Sequence, residues 1–181
     1  MRRRSCSGVS ARHVKAEPVV KFSAGTLLYR FDENGALQVL IAHMGGPFWA
    51  RKDERAWSIP KGEYGETEDP ESAARREFHE EMGRPLPAGD LTDLGVFKQS
   101  SAKSITAYAL EADLDAESIV SNEFEMEWPP RSGRTQLFPE VDRAAWFDCT
   151  TAKLKLVKGQ VPIVDRLQAL VDGRTQSNPN Q

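Results

Sequence analysis

The stretch from Gly62 to Arg84 reads G-E-Y-G-E-T-E-D-P-E-S-A-A-R-R-E-F-H-E-E-M-G-R, and it carries a helix with both ends written in. Asp69 is a good N-cap, Pro70 suits the first helical position, and Glu71 places negative charge where the helix dipole favours it. Gly83 can take the left-handed C-terminal cap, and Pro85 prevents continuation. The residues between are adequate to good helix formers. Ala74, Phe78 and Met82 recur every four residues and make an apolar stripe. The spacing therefore predicts a helix over 70–82 that buries one side. On another side Glu77, Glu80 and Glu81 fall at i, i+3 and i+4, stacked a turn apart. Like charges at this spacing repel, so the arrangement is costly unless something cationic sits among them. Carboxylate oxygens are hard ligands suited to Mg²⁺ or Mn²⁺, and the stretch reads as a metal site mounted on a helix. The bland alternative is a solvated acidic face, which is what most charge runs are.

The rest of the chain supplies strands around this helix. Phe22 to Tyr29 and Leu37 to Ala42 are β-rich runs flanking Asp32-Glu33-Asn34-Gly35, and Asn-Gly between such runs signals a hairpin. Next comes a Gly/Pro loop with two aromatics, His43-Met44-Gly45-Gly46-Pro47-Phe48-Trp49. Trp57-Ser58-Ile59 reads as a short strand leading into Pro60-Lys61-Gly62. After the helix, Leu91 to Lys98, Ile105 to Ala112, Phe124 to Trp128 and the short Ala145-Trp146-Phe147 read as strands. Val161 to Val171 reads as an amphipathic helix. Strands, one central helix, more strands and a terminal helix describe a mixed α/β domain over 18–172. Residues 1–17 are expected to be a disordered basic tail and 173–181 a polar one.

A chain of 181 residues with 39% hydrophobic residues fits one globular domain with a real core. The net charge of −3 gives no bulk attraction to nucleic acid. No run approaches a membrane span, and the basic N-terminus lacks the apolar segment of a secretory signal. Cys6 and Cys149 are too far apart in character, one in a tail and one near a strand end, to suggest a disulfide framework. A cytoplasmic monomer or homodimer is the simplest expectation.

The flanks of the helix narrow its chemistry. Gly62, Glu68, Arg76, Glu77, Phe78, Glu80, Glu81 and Gly83 match Gly-x5-Glu-x7-Arg-Glu-U-x-Glu-Glu-x-Gly, where U is a bulky apolar residue. Eight specified positions at fixed offsets resemble the Nudix box, and the chain is similar to Nudix hydrolases. One departure is Arg84, where the last box position is usually bulky and apolar; it touches no ligand position.

The resemblance implies a mixed sheet sandwiched between α-helices. It implies hydrolysis of a nucleoside diphosphate linked to another group, by water attack on phosphorus with a divalent cation present. It makes Glu77, Glu80 and Glu81 the metal ligands, with the backbone carbonyl of Lys61 as a further oxygen. It makes Gly62, Glu68, Arg76 and Gly83 the framework of the box, Arg76 and Glu68 pairing to brace the loop against the helix. The catalytic roles then fall to Glu80, Glu81, Arg76 and an acid on a later loop. Glu140 is the candidate for that acid, in competition with Glu123, Glu125 and Glu127. Those three alternate along a strand, which more often marks a solvated edge.

Substrate contacts rest on the loops. Lys61 can meet a phosphate; Phe48, Trp49 and Trp57 can stack on a purine; Arg51, Lys52 and Arg55 can meet outer phosphates. Pro-Lys-Gly and the Gly-Gly-Pro-Phe-Trp loop look most like the diadenosine tetraphosphate hydrolase side of the family, which cuts its substrate to ATP and AMP. Nucleoside triphosphates, sugar nucleotides and RNA 5′ ends are alternative substrates. A nucleotide sensor without turnover is the alternative of another class, although a sensor can dispense with ligands that this chain keeps. His13, His43 and His79 have no ligand-like spacing, and no P-loop or Rossmann pattern competes.

Overall fold

The computed structural model describes residues 21–177; the expected tail over 1–17, with Cys6, and residues 178–181 lie outside them. In chain order the elements are β1 (Lys21–Phe31), β2 (Leu37–Met44), β3 (Trp57–Ser58), β4 (Lys61–Glu63), α1 (Pro70–Met82), β5 (Thr92–Ser100), β6 (Lys103–Glu111), β7 (Glu123–Glu127), β8 (Thr135–Pro139), β9 (Val141–Asp148), α2 (Cys149–Lys155) and α3 (Val161–Ser177).

β1 is buried without interruption from Ala24 to Tyr29, the pattern of a strand covered on both faces. Its neighbours explain why. β6 runs parallel to it, while β2 and β4 pair antiparallel with its two ends. β5 extends the sheet beyond β6, and β3 and β9 extend it beyond β2. Alternate residues then feed two cores. Leu27, Val39, Ile41 and Ile59 pack with Ile163, Val164 and Leu167 of α3. Leu28, Leu40 and Leu110 pack with Phe78 and Met82 of α1. The result is a mixed sheet between helices. No helix among the described residues is long and apolar enough to cross a membrane.

The turn between β1 and β2 is built by Asp32, whose Oδ1 accepts from the backbone N–H of Asn34 and Ala36, with Gly35 at φ 77°. Four features depart from the reading of the sequence. β9 is eight residues long, not three, because its polar Asp142 and Arg143 broke the apolar pattern. β8 is a largely exposed partner for β7 and shows no alternation. α2 is a seven-residue helix capped by Asp148. α3 continues through Gly173 to Ser177, where a polar tail was expected.

α1 has the bounds and caps that the sequence specifies. The Asp69 side chain accepts from Ser72 N at 2.9 Å, and Gly83 closes the helix at φ 70°. Gly83 is also pinned from outside, since a Cβ there would overlap the backbone carbonyl of Val120. Gly83→Ala is therefore expected to destabilise the fold by about 2 kcal/mol in urea unfolding.

Candidate active site

β4 brings Lys61 and Gly62 under α1, and the fit is tight on both sides. Where Gly25 of β1 lacks a side chain, Lys61 Cβ and the Pro60 carbonyl fill the space, each 2.6 Å from where a Cβ would stand. Where Gly62 lacks one, the Glu77 carboxylate lies in its place. One turn further along α1, Glu81 Oε2 accepts from the backbone N–H of Lys61 at 3.0 Å. Two of the three box carboxylates thus meet the strand carrying the Pro-Lys-Gly turn.

Arg76 is the cation that the acidic face needs. It grips Glu68 in a two-point pair, Nε to Oε1 at 2.9 Å and Nη2 to Oε2 at 3.1 Å. Its Nη1 donates to Glu77 Oε1 at 2.5 Å and to Glu80 Oε2 at 3.2 Å. The bond to Glu68 dominates in raising the guanidinium pKa well above its ordinary value, and the same bond lowers that of Glu68. In this arrangement Glu77 and Glu80 turn to Arg76, and no three His, Cys, Asp or Glu side chains among the described residues stand together as a metal cage.

The electrostatics are those of carboxylates taken partly out of water. Burial raises Glu77, against the pull of Arg76. Burial also pushes Glu81 up to about 7, opposed by the Lys61 ammonium and its backbone N–H and reinforced by Glu140 and Glu77. A hard divalent cation fits this donor set: oxygen ligands only, partly desolvated, with one guanidinium shared among Glu68, Glu77 and Glu80.

Glu81 opens onto a cleft of about 280 Å³ whose walls include Lys61, Glu140, Trp49 and Phe124. Backbone bonds fix Glu140 there: its N–H donates to Asn122 O and its carbonyl accepts from Gly45 N, both at 2.8 Å. Asn122 N in turn donates to Glu80 O, so the β7–β8 hairpin is moored to α1. Over residues 21–167 the chain matches the family described as the NUDIX domain.

The chain belongs to the Nudix family. It is a hydrolase of the class that acts on phosphorus-containing anhydrides, and that class generally uses divalent metals. Its fold is shared with an Ap4A hydrolase from C. elegans, seen in a binary complex, at 21% identity and TM-score 0.55, over 85% of this chain and 99% of that one. A mutT/nudix family protein from Listeria innocua matches at 20% identity and TM-score 0.57, over 88% and 99% of the two chains. The NUDIX domain of Shewanella oneidensis NrtR, complexed with ADP ribose, matches at 14% identity and TM-score 0.56, over 90% and 94%. No curated protein matches the sequence.

The Nudix helix and its loop thus bring Lys61, Glu77, Glu80, Glu81 and Arg76 together, with Glu140 across the cleft. The loop residues divide. Trp49 lines the cleft, with the Lys52 ammonium 4.6 Å from its ring centroid. Phe48 instead packs edge-on against Trp128 at 5.3 Å, and Arg51 is exposed. Trp57 is only 2% exposed and donates Nε1–H to Asp53, so it belongs to the core and not to a purine. Arg55 is also structural: its guanidinium donates to the carbonyls of Lys153 and Leu156, which hold it away from phosphates. Glu123, Glu125 and Glu127 lie on the exposed face of β7, and His79 is exposed on α1. Phe124 was missed as a cleft residue. The signal was present, since it alternates with those glutamates and must point the other way; its ring packs over Gly46, about 3.1 Å from where a Cβ would stand.

Proposed function

We propose that this chain hydrolyses a phosphoanhydride bond in a nucleoside polyphosphate, with diadenosine tetraphosphate, cut to ATP and AMP, as the best-fitting substrate. The observation that carries the reading is the cleft itself, where two aromatic walls, Trp49 and Phe124, face an ammonium, Lys61, and two carboxylates, Glu81 and Glu140. Planar bases stack on such rings, and phosphates need such a cation. The C. elegans neighbour is by its name an Ap4A hydrolase, the same activity.

Glu77, Glu80 and Glu81, with the Lys61 carbonyl, are the residues that would hold Mg²⁺, or Mn²⁺ in its place. When bound, the cation offsets phosphate charge and makes water easier to deprotonate. The Lys61 ammonium meets a phosphate oxygen beside the scissile bond. Glu140 takes the proton of the attacking water as its oxygen bonds to phosphorus and the bridging P–O bond breaks. Trp49 and Phe124 hold a base and exclude water from one end. Arg76 keeps Glu77 and Glu80 from repelling each other.

The role of Glu140 separates cleanly from that of its rivals. Glu140→Gln is expected to lower kcat about 10²-fold, whereas Glu125→Gln on the exposed strand face leaves kcat within about twofold. Equal rates for the two variants would move the proton acceptor elsewhere. The whole reading is tested by anion-exchange analysis of products from diadenosine polyphosphates, nucleoside triphosphates, ADP-ribose and triphosphorylated RNA, with Mg²⁺ and with EDTA. ATP plus AMP from diadenosine tetraphosphate, lost with EDTA, supports it. Cleavage of another member alone moves the substrate, and binding without any cleavage makes the chain a nucleotide sensor.

A further inference from the structure

A second cleft, of about 330 Å³, adjoins the first and shares Met44, Ser58 and Lys61 with it. Its far wall is Gln99 at the end of β5, with Lys158 and Gly159 from the turn before α3. We infer that this cleft is a second substrate subsite, which takes the phosphate-bearing half of the substrate beyond the scissile bond. The inference rests on the pyrophosphohydrolase reading and adds what lies past Lys61.

The charges have one sign. Lys61 and Lys158 line the cleft, no acidic side chain lines it, and neither ammonium is in an ion pair among the described residues. The first cleft, by contrast, is lined by Glu81 and Glu140 as well as Lys61. A polyphosphate whose reacting end lies by Glu81 therefore passes Lys61 and meets a cationic pocket.

Two glutamines in this wall make the contrast. Gln160 is fully buried and its amide is spent: Oε1 accepts from Ile59 N at 2.8 Å, and Nε2 donates to Ser58 Oγ at 2.9 Å. Gln99 Nε2 is buried and has no hydrogen-bond partner. A buried donor left unmade costs about 1–3 kcal/mol, a cost that a partner entering the cleft would remove. A phosphate oxygen is such a partner, and the lysines supply its counter-charge. The site is also rigidly backed, because a Cβ on Gly159 would stand 2.8 Å from Gln99 Cα, so the turn and β5 are in contact. A substrate with three phosphates on one side of the cut, as diadenosine tetraphosphate has, reaches from the first cleft into the second; ADP-ribose, with two phosphates in all, does not.

The test begins with binding, which does not depend on turnover. The metal-free full chain and its Lys158→Glu and Gln99→Leu variants are titrated with inorganic tripolyphosphate by calorimetry at low salt. Each substitution is expected to weaken binding about tenfold. Gln99→Leu is also expected to leave Tm equal or higher, since it removes the unmet donor. Unchanged affinity in Lys158→Glu overturns the subsite, as does a lower Tm with unchanged affinity in Gln99→Leu, which would make Gln99 structural. In kinetics, Lys158→Glu is expected to lower kcat/KM for diadenosine tetraphosphate about tenfold more than for ADP-ribose; equal losses overturn the proposal. If the chain cleaves nothing, the functional reading fails, while the tripolyphosphate titration still decides the cleft.

Discussion

Glu81→Gln is expected to lower kcat by about 10²-fold or more and, without metal at pH 8, to make the fold more stable. The two effects have one origin. Glu81 is held by burial, and its folded pKa stands at about 7 against an ordinary 4.5. Below the ordinary value both states carry the proton. Between the two values the folded state holds a proton that the unfolded state has lost, so stability from this group falls as pH rises, and the loss is complete above about 7. At about 1.4 kcal/mol per pKa unit, the carboxylate destabilises the metal-free protein at pH 8 by an amount on the order of 3 kcal/mol. Glutamine keeps the shape and stays neutral. Urea unfolding in EDTA at pH 5 and pH 8 should show the wild type losing stability between them and the variant losing less. Adding Mg²⁺ at pH 8 should restore the wild type and leave the variant unmoved. A variant that is less stable in EDTA and keeps its kcat would show that Glu81 is a structural acid and no ligand.

The box helix was legible because every instruction for it is local. The Asp69 cap, Pro70 and the Gly83 stop lie within a few residues of the backbone groups they serve, and α1 has those bounds. The β1–β2 turn is local in the same way. What the sequence hid are meetings between distant segments. Trp57 and Arg55 have the composition of a nucleotide-binding loop, yet the Trp57 ring is claimed edge-on by Phe147 and the Arg55 guanidinium by the carbonyls at the end of α2. Nothing beside these residues in sequence announces those partners. Phe124 enters the cleft because the β7–β8 hairpin folds back on the Gly45–Trp49 loop, where Gly45 and Gly46 allow the approach of Pro139 and Phe124. Those glycines were readable as a loop; what they admit was not.

Gly62→Ala offers the sharpest separation of catalysis from stability. Kcat/KM is expected to fall about 10²-fold, while the unfolding free energy changes by less than about 1 kcal/mol. Gly62 is in a strand, paired with Ala24, and its backbone does not need the left-handed region, so alanine is conformationally allowed there. The three atoms nearest to a Cβ there are the Cδ and both oxygens of the Glu77 carboxyl group, all within overlap. That group ends a side chain with three rotatable bonds, so it can swing aside while the main chain stays in place. Once displaced it leaves its place over Gly62, one turn along α1 from Glu81, and the ligand set of the proposed metal loses its geometry. The Mg²⁺ concentration for half-maximal rate should therefore rise together with the loss of kcat, and far-UV circular dichroism and urea unfolding should stay close to wild type. Normal activity with normal Mg²⁺ dependence would show that the place of Glu77 over Gly62 is not the place it needs for turnover. A collapse in stability would instead make the Glu77–Arg76 pair, and not a metal site, the reason that only glycine fits beneath it.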